Sequence, residues 1–132
     1  MEDNLLIELN SKYNFSETIE RVTREAKAGS WNMPAVHDLQ KSLANSGKHV
    51  KPVSVIEICK PEYSGKLLEL NHERIFSVFM PCRIAVYEKN DGKIYVSIMN
   101  GEALAKDQPV DIADVMKTAS AEILNIVKKA TQ

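Results

Sequence analysis

Residues 81–99, PCRIAVYEKNDGKIYVSIM, constrain this chain more than any other stretch, because they read as two strands joined by a tight turn. Side chains alternate along a strand, so Cys82, Ile84, Val86 and Glu88 point to one side while Arg83, Ala85 and Tyr87 point to the other. In the second arm Ile94, Val96 and Ile98 lie on one side and Tyr95, Ser97 and Met99 on the opposite one. Asp91-Gly92 supplies the residues that tolerate positive φ in the turn. The Ile, Val and Tyr content suits a pleated surface better than a helix. The rest of the chain must pack on this ribbon.

The remaining elements follow in order from local pattern. Residues 4–9 alternate, with Leu5, Ile7 and Leu9 on one side, and predict a first strand. Asn14 reads as an N-cap with Glu17 at the third helical position, and Phe15, Ile19, Val22 and Ala26 follow at helical spacing, giving a helix over about 15–28. Gly29 is expected to end it in a left-handed conformation, and residues 30–36 to return as a strand made irregular by Pro34. Asp38 caps a short helix through Leu39 and Leu43, and a third strand spans 53–59. Pro61 opens a short helix over 62–70, broken by Gly65. Residues 71–80 show no clean period and read as a partly buried connection or an extra strand, and 100–108 as a loop or one helical turn. Asp111 is expected to cap a last helix over about 111–130, where Ile112, Val115, Met116, Ala119, Ile123, Ile126, Val127 and Ala130 make one apolar stripe. Its polar face carries Lys117, Glu122, Lys128 and Lys129.

These elements predict an α+β fold of two layers. A mostly antiparallel or mixed sheet with a central hairpin at about 82–99 is packed by the first and last helices. At 132 residues the chain fits a single domain, 1–132, large enough to bury a core without disulfides. A formal net charge of −1 argues against a generic polyanion binder, so no nucleic-acid partner is expected. No apolar run approaches the roughly 18 residues that span a bilayer, and the acidic start MEDN lacks the basic-then-apolar order of a secretory signal. The expectation is a cytoplasmic protein with no membrane partner, and its two cysteines, Cys59 and Cys82, are expected as thiols.

The order of elements and two local motifs resemble the domain-of-unknown-function 302 family. The matching stretches are NFSETIERVTREAKAGSW, EICKPEYSGKLLEL, MPCRIAVYE and the long final helix. Cys59-Lys60-Pro61 stands where the family usually has Cys-Asn-Pro, and Met80-Pro81-Cys82 where it has Leu-Pro-Cys. Lys60 and a longer connection over 71–79 are departures from that pattern. The resemblance implies an α+β fold with a sheet and packed helices and a dimeric assembly, and it implies no established activity.

Few side chains invite chemistry. Alternation sets Cys59 on the face of Val53, Val55 and Glu57, away from the core, and Cys82 on the core face. That arrangement favours two ordinary thiols over a disulfide or metal site shared between them, since bridging needs converging Cβ vectors. A parallel crossover between the two strands would also hold them apart. His37, His49 and His72 are scattered without ligand spacing, so no metal or cofactor is expected. No Gly-rich phosphate loop, Ser-His-Asp order or paired-carboxylate motif stands out, and catalysis is left unassigned.

The more informative feature is the second face of the sheet. Val53, Val55, Ala85, Tyr87, Tyr95 and Met99 make an apolar surface with Glu57 and Arg83 as opposite charges within it. Monomers seldom leave such a patch in water. A symmetric partner, cover from the same chain, or a ligand pocket explains it, in that order of preference. The expected function is a homodimeric interaction or small-ligand-binding module, with a rim cleft lined by Glu57, Arg83, Tyr87 and Tyr95. The alternative is a thiol-dependent enzyme or redox sensor using Cys59 or Cys82.

Overall fold

Alternation along the ribbon sets the architecture. A computed structural model describes residues 4–132, and residues 1–3 of the acidic start lie outside the described residues. Strands β1 (Leu6–Ser11), β2 (Val36–Asp38), β3 (Val53–Ile58), β4 (Cys82–Glu88) and β5 (Ile94–Met99) form one antiparallel sheet in the order β1-β5-β4-β3-β2. Helices α1 (Phe15–Ala28), α2 (Leu39–Ala44), α3 (Pro61–Leu68), α4 (Gly101–Leu104) and α5 (Val110–Thr131) connect or follow the strands, with a 3-10 helix at His72–Phe79. The fold is α+β, as expected, and every strand pair is antiparallel.

The hairpin forms in the register that its alternation requires, with Ile84 opposite Ile98 and Val86 opposite Val96. Only Gly92 takes positive φ in its turn, at 78°, while the Asp91 carboxylate accepts the Lys93 N–H at 2.9 Å. On the inner face Ile56, Ile58, Ile84, Val86 and Val96 are fully buried, each contributing roughly 1.5–3 kcal/mol by leaving water. They pack against Val22 and Ala26 of α1 and Ile123, Ile126, Val127 and Ala130 of α5, the stripes that the helical spacing picked out. Because β1 and β2 occupy opposite edges, the β1-α1-β2 connection carries α1 across the whole sheet. The last carbonyls of α5 are satisfied from outside the helix: Arg21 donates to Ala130 O at 2.9 Å and Lys129 O at 3.2 Å while its guanidinium stacks on Tyr13.

Caps follow the sequence in part. Asn14 Oδ1 accepts the Glu17 N–H at 2.8 Å and Asp38 Oδ1 the Lys41 N–H at 3.0 Å, as the motifs predict. Gly29 is not left-handed: its φ is −87°, and Ser30 takes the positive value of 65°. A Cβ at Gly29 would lie 3.3 Å from Trp31 Cδ1, so the glycine yields to the indole folding back over the helix end. The predicted strand over 30–36 reduces to a bridge between Asn32 and Cys59, and β2 starts only at Val36, beyond Pro34, which has no N–H for the ladder. Helix α3 runs through Gly65 and ends at Leu68, since one interior glycine costs only about 1 kcal/mol. Pro109 rather than Asp111 stands at the α5 N-cap, and Asp111 lies in the first turn, where its charge suits the helix dipole. Residues 72–79 form the 3-10 helix instead of a strand, and Asn100 caps the one-turn α4 by accepting from Glu102 and Ala103.

Candidate functional site

At the end of the sheet where β3 finishes and β4 begins, the inner layer does not close completely. A cavity of about 120 Å³ remains, walled by Ile58 and Ile98 of the sheet, Tyr63 and Leu67 of α3, Phe76 and Phe79 of the 3-10 helix, and Val115, Ala119 and Ile123 of α5. Trp31 closes one side. The geometry follows from chain connectivity. Only Cys59 and Lys60 separate β3 from Pro61, which starts α3 and turns the chain up against α5, and the 3-10 helix then brings it back to Cys82. Phe76 and Phe79 stack with ring centroids 6.4 Å apart and face the cavity, while Ile75 and Val78 on the same helix stay exposed.

Glu122 organises a polar cluster beside this cavity. Its Oε1 accepts from Lys60 Nζ at 2.8 Å and from Trp31 Nε1 at 3.2 Å, and its Oε2 accepts from the Tyr63 hydroxyl. The Lys60 ammonium also stands 5.4 Å from the Trp31 ring centroid and 5.5 Å from that of Tyr63. These aromatic rings are themselves 6.0 Å apart. Sequence reasoning left Glu122 on the polar face of the last helix and Trp31 in a strand. The sequence offered one weak signal for this cluster, the lysine that stands in Cys59-Lys60-Pro61 beside a helix start.

Both cysteines line this cavity. A shared face does not follow from that, since Arg83 and Met99 of the outer face line the cavity too, and the N–H groups of Glu57 and Cys59 both donate toward the β2 side, to Ala35 O and Asn32 O. Cys59 Sγ lies 3.8 Å from the Ser64 hydroxyl of α3. The expected parallel crossover is absent: β3 and β4 are direct antiparallel neighbours, with Ile58 opposite Cys82, so the two cysteines come from adjoining strand ends. Both are free. Burial pushes the Cys82 thiol up from its ordinary range, and the nearness of Cys59 adds to this. Such a thiol is a poor nucleophile at neutral pH, which works against the thiol-enzyme alternative at Cys82.

The other predicted residues lie on the outer face of the sheet. Register sets Glu57 opposite Arg83 and Tyr87 opposite Tyr95. The two pairs are separated along β4 by four residues, about 13 Å at strand rise, so they form two clusters rather than one cleft. Glu57 is held by His37 of β2, whose Nε2 lies 2.8 Å from Oε2. That histidine had shown no pattern, because the position of β2 beside β3 was not visible in the sequence. Arg83 is exposed and also reaches the lining of the cavity.

Tyr87 and Tyr95 stack at 6.3 Å, and a hydrogen-bonded network surrounds them. Tyr87 donates to Glu8, Lys89 Nζ pairs with Glu8 at 2.9 Å and lies 4.1 Å over the Tyr95 ring, and Tyr95 donates to Asp91 at 2.6 Å. The bonds from Tyr87 and Lys89 hold the Glu8 carboxyl below its usual range, and the bond from Tyr95 does the same for Asp91. Val53, Val55, Ala85, Tyr87, Tyr95 and Met99 all remain partly exposed, so the chain does not fully cover this face itself. Among the described residues no group of three or more His, Cys, Asp or Glu gathers as a metal site.

The family model described as "Domain of unknown function DUF302" matches residues 7–130. Among solved structures the chain is similar to the "Crystal structure of uncharacterized conserved protein DUF302 from Bacillus stearothermophilus", with a TM-score of 0.85 at 17% identity over 96% of this chain and 98% of that one. That likeness carries the fold. Among curated proteins it is 25% identical over 104 residues to "Fluoride-specific ion channel FluC 1" of Brucella suis, covering 79% of this chain and 40% of that protein. FluC 2 of Brucella melitensis matches at the same 25% identity, over 38% of its length. The chain therefore spans about two fifths of the length of the curated relatives it matches.

Proposed function

The chain belongs to the DUF302 family, and from that premise we propose that it is a homodimeric binding module whose cavity at the end of the sheet takes a small ligand. The observation that carries this reading is the cavity itself, about 120 Å³ of mostly apolar lining beside the Lys60–Glu122 pair. Its size approaches the roughly 150 Å³ at which an apolar protein cavity accepts benzene. The subunit contact in this reading is the outer face around Val55, Tyr87 and Tyr95, because an apolar surface that the chain leaves partly exposed suits cover by a self-complementary copy. Residues 1–132 act as one domain in it, and the free state of both cysteines suits a cytoplasmic setting. Ion conduction, which the names of the curated relatives state for them, is not part of this reading: among the described residues no helix is long and apolar enough to cross a membrane.

Trp31 is the only tryptophan and lines the cavity, so its fluorescence reports on occupancy directly. Benzene added to the protein is expected to shift Trp31 emission to a saturating limit. An unchanged spectrum at saturation of the solvent with benzene removes the ligand half of the reading. Sedimentation equilibrium at micromolar concentration tests the other half, with twice the 14.8 kDa chain mass expected and Val55→Lys reducing it to one chain. A wild-type monomer sinks the dimer.

A further inference from the structure

We propose that residues 72–79 are a lid on the cavity, opening to admit a small apolar ligand and held down by it once bound. The inference rests on the cavity being a ligand site and says how that site is reached. Most of its walls cannot move without breaking the core. Ile58 and Ile98 of the sheet, Leu67 of α3, Ile123 of α5 and Trp31 all line it, and all are buried. The wall made by Phe76 and Phe79 is different, because the 3-10 helix that carries them has no buried residue. Ile75 and Val78 beside them are 74% and 71% exposed.

This segment is also loosely tied. A 3-10 helix has poorer hydrogen-bond geometry than an α-helix and seldom runs beyond a turn or so, whereas this one runs for eight residues. Its N-cap, Asn71, makes no side-chain capping bond. Among the described residues its side chains form one hydrogen bond, from Arg74 Nη1 to Leu68 O at 3.3 Å, and no bond of its backbone reaches the sheet or α5. It packs chiefly on α3, the element just before it. Segments with few buried contacts and little hydrogen bonding to the rest open locally at a fraction of the cost of global unfolding. Three residues per turn set Phe76 and Phe79 one above the other, so a single roll of the helix withdraws both rings together. A lid of this kind lets an apolar ligand in without opening the core.

Native-state hydrogen exchange on the wild-type chain, read by mass spectrometry of peptic fragments, tests this. In the free protein the amides of 72–79 should exchange at least about 100-fold faster than those of β4 and β5, because they need only the local opening. Benzene at about ten times its dissociation constant should slow them about tenfold, since the open lid releases the ligand and binding must be undone first. Helix α2 is the control: it has no buried residue and takes no part in the cavity lining, so its exchange should not change. Arg74→Met, which removes the tie to Leu68 O, should speed exchange at 72–79 several-fold and leave the Trp31 emission of the free protein as it is. Exchange at 72–79 as slow as in β4, or slowing of α2 as large as that of 72–79, overturns the lid. If benzene shifts Trp31 emission while 72–79 exchange at an unchanged rate, the lid falls and the cavity reading stands. If neither responds to benzene, both fall.

Discussion

Lys60 Nζ lies 2.8 Å from Glu122 Oε1, and the same carboxylate oxygen accepts the indole N–H of Trp31. One carboxylate on α5 thus ties the chain just before α3 to Trp31, three residues past the end of α1. Side-chain exposures of 16% for Lys60 and 33% for Glu122 put the pair at the boundary between core and solvent, where hydrogen bonding counts and screening is incomplete.

Glu122→Ala should lower stability by about 1–3 kcal/mol, because it leaves the Trp31, Lys60 and Tyr63 donors without their acceptor. Glu122→Gln keeps an acceptor and should cost less. Urea unfolding measures both, and a double-mutant cycle with Lys60→Met should give a coupling of at least about 0.5 kcal/mol. Zero coupling would mean that the two side chains are neighbours without energetic consequence.

Gly101 should tolerate no side chain. A Cβ there would lie 2.5 Å from Ser120 Cβ and 2.8 Å from Met116 O, so α4 can approach α5 only through this glycine. Its N–H donates to Ser120 Oγ at 3.0 Å. Gly101→Ala is expected to cost about 1–3 kcal/mol by overpacking. A thermal midpoint equal to that of the wild type would show that α4 can move away freely.

Cys82 should react slowly and make stability fall in alkali. Its pKa is raised in the folded chain by burial and then by Cys59, so the native state keeps a proton that the unfolded state has lost. Where the native state binds more protons, stability decreases as pH rises, starting near the ordinary thiol value of about 8.5. Below that value the contribution is fully present. In the Cys59→Ser background, alkylation of Cys82 at pH 8 should be markedly slower folded than unfolded, and Cys82→Ala should flatten the alkaline fall in urea-measured stability.

Tyr87→Phe should let Glu8 titrate closer to the usual carboxylate range. The Tyr87 hydroxyl is the largest cause of its lowered pKa, ahead of Lys89. A depressed carboxylate stabilises the fold above its unfolded pKa, and that contribution is lost as pH falls through the folded value. The carboxyl-carbon chemical shift of Glu8 followed by NMR reads the change. Identical titration curves would show that Lys89 alone sets the value.

The parts legible in the sequence are those in which one element repeats its own period. Ile84, Val86, Val96 and Ile98 announced their shared face because every second residue of a strand returns to it, and the last helix announced its stripe at 3.6-residue spacing. Asn14 and Asp38 announced their caps because the partner N–H lies within three residues. The site was less legible. Register sets Tyr87 opposite Tyr95 and Glu57 opposite Arg83, whereas the four-residue gap along β4 keeps the two pairs apart from each other.

By itself the amino-acid order determined the hairpin, the two long amphipathic helices and the apolar character of both sheet faces, since each depends on periodicity within one segment. Only the tertiary structure decided that Cys59 joins Cys82 in one cavity and that Glu122 receives Lys60, Trp31 and Tyr63. Those meetings occur at strand ends and between elements far apart in the chain, where no period within one segment says which side chains will meet.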